Sequence, residues 1–312
     1  MSTIEKALGT LGKGDGDEHG GTTVERAAGG PGEAAVPPAT RAEGESDAIA
    51  IPFERLREAG FLTPSTPRSA IAEEFRGIKR PLLKNIDGRD AEAPDYANLV
   101  MVTSALEGDG KTFTSLNLAI SIATEQDKTV LFVDADVLKA SAGRMLGVPA
   151  NAPGLIHLVN KSTFMPQDVI LRTTMPKLRV LPAGRISEHA TELLASENMH
   201  SFMLELSARY PDRVIVFDSP PLLLTSEAGV LASFMGQIVF VASAGITPQS
   251  AVKQALEHIG PDKMVGMVLN RAPRHRLRVF GNGYGYGYGY GYGYGYGAGH
   301  RQPGEADAAE RP

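Results

Sequence analysis

Cysteine is absent from this chain of 312 residues, so neither a disulfide framework nor thiol chemistry is available to it. No apolar run approaches the ~20 residues that a membrane span requires. The start carries no basic-then-apolar secretory leader. Excess positive charge is lacking too: the net charge is −5 and the pI is near 5.8, which gives no electrostatic footprint for nucleic acid. His157, His189, His200 and His258 are dispersed, without metal-ligand spacing. The chain reads as cytoplasmic, and any attachment to a membrane has to come from a partner.

Tyrosine is scarce in the body of the chain and crowded near its end. Seven of the nine tyrosines alternate with glycine: Tyr284, Tyr286, Tyr288, Tyr290, Tyr292, Tyr294 and Tyr296. Strict glycine alternation cannot hold a helix, since each glycine costs about 1 kcal/mol relative to alanine. As a strand it would put every tyrosine on one face. Residues 276–312 therefore read as a solvated, flexible tail, suited to entering an active site and leaving it again. Each phosphate added to a phenol would bring roughly −1.5 to −2 charges at pH 7, turning a neutral tail into a repelling polyanion. The bland alternative is an aromatic segment that self-associates.

Four regions follow from composition and periodicity. Residues 1–11 outline a short amphipathic helix through Ile4, Ala7, Leu8 and Leu11. Residues 12–60, rich in Gly, Ala, Glu and Pro over most of their length, read as a disordered linker. Residues 61–275 read as a single domain, and 276–312 as the tail. Within the domain a helix is expected over Ser69–Ile86, with Ser69 as N-cap and Pro81 interrupting it or marking a new turn. From Leu99 apolar strands alternate with helices: strands at 99–103, 130–134, 178–181, 214–218, 237–242 and 264–270, and helices at 111–126, 192–210 and 248–259. That alternation implies an α/β fold, a mostly parallel sheet covered by helices on both faces.

Ala105-Leu106-Glu107-Gly108-Asp109-Gly110-Lys111-Thr112 matches [GA]-x4-G-K-[ST], with a strand before it and a helix after it. That context makes it a phosphate-binding loop. Backbone N–H groups from Glu107 to Phe113 can surround a phosphate at the helix N-terminus. Lys111 can reach the β- and γ-phosphates, and the Thr112 hydroxyl can ligate Mg²⁺. Two strands end in carboxylates: 130–133 run into Asp134-Ala135-Asp136, and 214–217 into Asp218-Ser219-Pro220-Pro221. In a parallel sheet such ends share one edge, where ligands bind, so Thr112, Asp134, Asp136 and Asp218 are expected together. ATP and Mg²⁺ are the cofactors implied.

These three elements resemble the Walker A, Walker A′ and Walker B motifs of the bacterial tyrosine kinases, and the tyrosine cluster resembles that family's tail. The fold implied is the P-loop NTPase type with the deviant Walker arrangement of MinD-like proteins. The resemblance implies an ATP-dependent protein-tyrosine autokinase, phosphorylating tail tyrosines between neighbouring subunits of a ring. It implies regulation of exopolysaccharide synthesis, chain length or export. It also implies a membrane polysaccharide copolymerase, or chain-length determinant, acting in trans and holding the protein peripherally at the inner membrane. Asp134 and Asp136 would organise Mg²⁺ and help activate the phenol, Asp218 would hold the metal's water shell, and the choice of base between Asp134 and Asp136 stays open. Glu73, Arg76 and Lys79 match an oligomer-forming E-x2-R-x2-R helix, with Lys in the last place. Asn270 and Arg271 stand where relatives contact adenine. Glu107 and Asp109 depart from the family loop's P-G-E-G-K, and Lys139 follows Leu138, where a basic residue is usual. The competing function is a membrane-recruited ATPase switch of the MinD/ParA type. Those proteins carry a lysine early in the loop, where this chain has Leu106.

Overall fold

The protein is described by a computed structural model, which covers residues 48–88, 94–160, 164–184, 190–209 and 213–273. The helix expected over 1–11 and the tail over 276–312, with its seven tyrosines, lie outside the described residues. So do Arg274, His275, Arg276 and Arg278, which form a basic stretch in the sequence.

In chain order the elements are α1 (Phe53–Glu58), α2 (Ala70–Ile86), β1 (Leu99–Ser104), α3 (Lys111–Ala123), β2 (Thr129–Asp134), α4 (Ser141–Met145), α5 (Leu155–Val159) and α6 (Pro166–Val169). There follow β3 (Leu171–Arg172), β4 (Leu178–Leu181), α7 (Ala190–Leu194), α8 (Glu197–Arg209), β5 (Arg213–Asp218), α9 (Ser226–Ser233), β6 (Gln237–Ser243), α10 (Gln249–Leu256) and β7 (Met264–Asn270). The seven strands form one sheet in the order β3-β4-β2-β5-β1-β6-β7. Every pairing is parallel except β3 with β4.

Side-chain alternation along the strands builds the core on both faces of the sheet. Leu99 and Met101 of β1, Leu131 and Val133 of β2, and Ile215 and Phe217 of β5 pack with Met199, Met203 and Leu231. Val100, Val102, Val130, Phe132, Val214 and Val216 face the other way, onto Phe75 and Leu82 of α2 and Leu116 and Ile120 of α3. The edge strand β7 is more open, with Met267 55% and Leu269 64% exposed.

Helix α2 starts where its cap predicts: the Ser69 hydroxyl accepts from the Ala72 N–H at 3.3 Å. Pro81 lies inside the helix and does not end it. Its missing N–H frees only the carbonyl one turn back. The long helix expected over 192–210 is two helices. Ser196 breaks it, its hydroxyl donating to the Leu193 carbonyl at 2.7 Å and accepting from the Met199 N–H at 3.2 Å. That is an N-cap inside an apolar period.

The linker expected over 12–60 is corrected at its C-terminal part. From residue 48 the chain is built into the fold. Ile49 bridges Thr173 beside β3, Ile51 and Leu56 are buried, and the Leu62 N–H donates to Asn117 Oδ1 at 2.6 Å. A few apolar residues suffice here because they extend an existing sheet edge and core, a gain that local composition does not register.

Candidate active site

The loop after β1 owes its shape to two glycines, Gly108 at φ +82° and Gly110 at φ +97°, a region that side chains with a Cβ rarely enter. A Cβ on Gly110 would also come within 2.0 Å of the Asn270 amide nitrogen. Asp109 is turned into the structure. Its carboxylate accepts from the Leu106 N–H at 3.2 Å and from the Thr247 hydroxyl. Its carbonyl accepts from the Asn270 amide at 2.9 Å and the Ser243 hydroxyl at 3.2 Å. The loop is thus clamped to the C-terminal ends of β6 and β7. Asn270, read from the sequence as a base contact, has its amide on the loop. Arg271 is exposed at φ +55°, its N–H on Asn270 Oδ1 at 2.9 Å. No local signal points to Ser243 or Thr247 as loop supports, because both lie far from the motif in sequence.

Helix α3 opens on Lys111, whose Nζ lies 2.6 Å from Asp136 Oδ2, with 8% and 1% of the two side chains exposed. The strand order puts β2 beside β5, and Asp134 is the direct register partner of Asp218. Asp134 Oδ2 accepts from the Gly143 N–H at 3.0 Å. Its Oδ1, and both oxygens of Asp218, are buried without a hydrogen-bond partner. Burial, then the Asp218 charge, pushes the Asp134 carboxyl well above the usual carboxylate range. Burial likewise raises Asp218, while Lys111 lowers it, and so do the nearby hydroxyls of Thr112 and Ser115 without completing a hydrogen bond. Buried carboxylates without partners are costly, and a hard cation bound to oxygen would relieve them. The donor set fits a hydrated Mg²⁺, which takes one or two carboxylates and keeps several waters. Among the described residues no three acidic, His or Cys side chains converge as a closed metal cage.

Glu107 and Lys139, both departures from the family pattern, meet each other: Lys139 Nζ lies 2.8 Å from Glu107 Oε2. That pairing holds the Glu107 carboxyl below its ordinary value. Phe113 was expected among the cofactor-binding residues. Its ring instead packs against Phe61 and Phe75, at centroid distances of 4.8 and 6.4 Å. Only its backbone is left for phosphate.

The three expected interface residues separate. Glu73 and Arg76 pair with each other on the surface. Lys79 is only 4% exposed and donates to the Ser121 carbonyl at 2.6 Å, with Glu125 Oε1 also at 2.6 Å. It shares the inner face of α2 with Ala72, Phe75 and Leu82, so it ties α2 to α3 and is removed from any outer face. The helical spacing of those four residues was the available signal.

Residues 98–245 match the AAA domain family. The chain is 34% identical over 211 residues to a putative tyrosine-protein kinase, CapB, of Staphylococcus aureus, covering 66% of this chain and 87% of that protein. It is 29% identical to the succinoglycan biosynthesis transport protein ExoP of Rhizobium meliloti, covering 73% of this chain and 28% of that one. The solved kinase domain of the Escherichia coli tyrosine kinase ETK superposes with a TM-score of 0.56 at 25% identity, covering 77% of this chain and 94% of that domain.

Proposed function

This chain belongs to the bacterial tyrosine-kinase family, and from that premise we propose that it moves the γ-phosphoryl group of ATP onto tail tyrosines of a neighbouring copy. The observation that carries the proposal is the meeting of Lys111, Asp134, Asp136 and Asp218 beneath the phosphate loop, with three carboxylate oxygens left unpartnered in the interior.

The N–H groups from Glu107 to Phe113 cradle the phosphates, and Lys111 leaves Asp136 to reach the β- and γ-phosphates. Mg²⁺, when bound, neutralises charge developing on the phosphates; Thr112 and Asp134 would hold it, and Asp218 would hold its water shell. Asp136, freed of Lys111, accepts the phenol's proton. The phenolate oxygen bonds to phosphorus, the bond from phosphorus to the β-phosphate oxygen breaks, and ADP departs. The protein's contribution is orientation and fixed charge.

Glu73, exposed on α2, and the half-buried Arg76 beside it supply a face for contact between copies. Among the described residues no helix is long and apolar enough to cross a membrane, which is compatible with a partner that recruits the kinase. ExoP, named for succinoglycan transport, extends the proposal to the control of exopolysaccharide synthesis or export, with a membrane copolymerase as that partner.

Intact-mass spectrometry with Mg·ATP, beside a phosphatase-treated control, tests it. A ladder of phosphate additions mapping to Tyr284–Tyr296 is expected, absent in Lys111→Met and in the variant with all seven tail tyrosines replaced by Phe. Phosphotyrosine persisting in Lys111→Met, or ATP hydrolysis with no phosphotyrosine even beside a copolymerase cytoplasmic segment, would overturn it.

A further inference from the structure

A cleft of ≈ 420 Å³ opens beside the catalytic carboxylates, with Asp134 in its wall. Its volume lies in the range of small-ligand sites. Val148, Pro149, Ala152 and Pro182 give it apolar walls, and Arg144 and Lys139 bring positive charge. The two cations differ. Lys139 is paired with Glu107. The Arg144 guanidinium makes one hydrogen bond, from Nη2 to the Lys139 carbonyl at 3.1 Å, and no carboxylate of the described residues pairs with it. A guanidinium carries five N–H donors in a planar fork, so most of this one is left for a ligand. An apolar wall beside an uncommitted guanidinium suits an aromatic ring bearing an anion.

The acceptor sequence offers such a group at one spacing. Successive tail tyrosines are two residues apart, ~6.7 Å along an extended chain and on the same side of it. With one phenol at the catalytic carboxylates, the next tyrosine falls one such step along the peptide. Once that tyrosine is phosphorylated it carries a dianion that an Arg fork binds bidentately.

We infer that the Arg144 cleft is a phosphotyrosine subsite, which reads a tyrosine already modified beside the acceptor and makes a primed tail the preferred substrate. The inference rests on the kinase reading given above. It makes phosphorylation of a tail self-reinforcing, so that modified tails run towards full occupancy while others stay bare.

The test uses the full chain with its seven tail tyrosines replaced by Phe, in Mg·ADP. Fluorescence anisotropy compares labelled Gly-Phe repeat peptides that carry either one tyrosine or one phosphotyrosine. About tenfold tighter binding of the phosphopeptide is expected, with the ratio falling to about one in Arg144→Gln and staying high in Arg144→Lys at reduced strength. Millimolar inorganic phosphate should compete. Equal binding of the two peptides overturns the inference, as does a preference that survives Arg144→Gln. A preference lost only when the arginines at 274, 276 and 278 are replaced also overturns it and assigns phosphotyrosine to that stretch. In Mg·ATP, a Gly-Tyr peptide primed with one phosphotyrosine should show about tenfold lower KM than the unprimed peptide. If no peptide is phosphorylated even beside a copolymerase cytoplasmic segment the kinase reading fails, and the binding ratio still decides the cleft.

Discussion

Asn270→Ala separates a loop clamp from a base contact. The substitution deletes the amide that donates to the Asp109 carbonyl at 2.9 Å and leaves that carbonyl with the Ser243 hydroxyl at 3.2 Å. A hydrogen bond of this kind contributes a net 0.5–1.5 kcal/mol. Its second bond, from the Arg271 N–H to Asn270 Oδ1, is at an exposed residue, where water can replace it. If the bond serves to hold the loop in its phosphate-binding shape, the loss appears as weaker nucleotide binding, about 1 kcal/mol or about fivefold in Kd. A glycine loop at a helix N-terminus binds phosphates and not the base, so ATP and GTP should weaken by the same factor. Isothermal titration of both nucleotides, with Mg²⁺, measures this. Adding Ser243→Ala leaves the carbonyl with neither donor and should cost a further ~1–3 kcal/mol. The reasoning is refuted if Asn270→Ala weakens ATP while GTP binding is unmoved, because that result belongs to a side chain on the adenine ring.

Three other substitutions follow from the structure. Asp134 has its folded-state pKa raised from the ordinary 3.8, first by burial and then by Asp218. The unfolded chain therefore releases this proton first, and stability falls as pH rises from about 4 until the raised folded-state value is passed. Asp134→Asn keeps an oxygen for the Gly143 N–H and removes the charge. It should stabilise the nucleotide-free protein at neutral pH by roughly 0.5–2 kcal/mol, scarcely at pH 4, and abolish phosphoryl transfer. Thermal melts at both pH values check it, and a neutral-pH gain no larger than that at pH 4 contradicts it. On α2, Lys79→Met should lower stability by about 1–3 kcal/mol, since the Ser121 carbonyl and Glu125 lose their shared donor. Arg76→Ala, which loses the pairing with Glu73 and the bond to the Pro67 carbonyl, should cost no more than about 1 kcal/mol while reducing oligomers in sedimentation velocity; the opposite pattern would return Lys79 to the interface.

Much of the fold was legible because its signals are local. The glycine loop between strand and helix, the apolar runs, and the carboxylates that end two of them are each contained within about ten residues. Strands β4 and β7 have the bounds read from periodicity, and Ser69 caps α2 as its residue type predicts. The failures have physical causes as specific as the successes. The Ser196 cap splits a helix that apolar period alone would continue. Residues 48–60 were read as linker because their few apolar side chains gain by joining an edge already formed. Lys79 was assigned by motif position, although its spacing from Ala72, Phe75 and Leu82 put it on the buried face.

The sequence by itself determined the parallel α/β architecture, the phosphate loop and the delivery of Asp134, Asp136 and Asp218 to one edge. Each follows from short-range pattern and from the rule that parallel strands end together. Only the tertiary structure decided how those groups are used. It put the Lys111 ammonium on Asp136, left oxygens of Asp134 and Asp218 unpartnered, and opened the cleft lined by Arg144. It also tied Asp109 to Thr247 and Asn270, 138 and 161 residues away along the chain. Contacts at such separation depend on the order β2-β5-β1-β6-β7, which is set by how the whole sheet packs against its helices and leaves no trace in any single stretch of sequence.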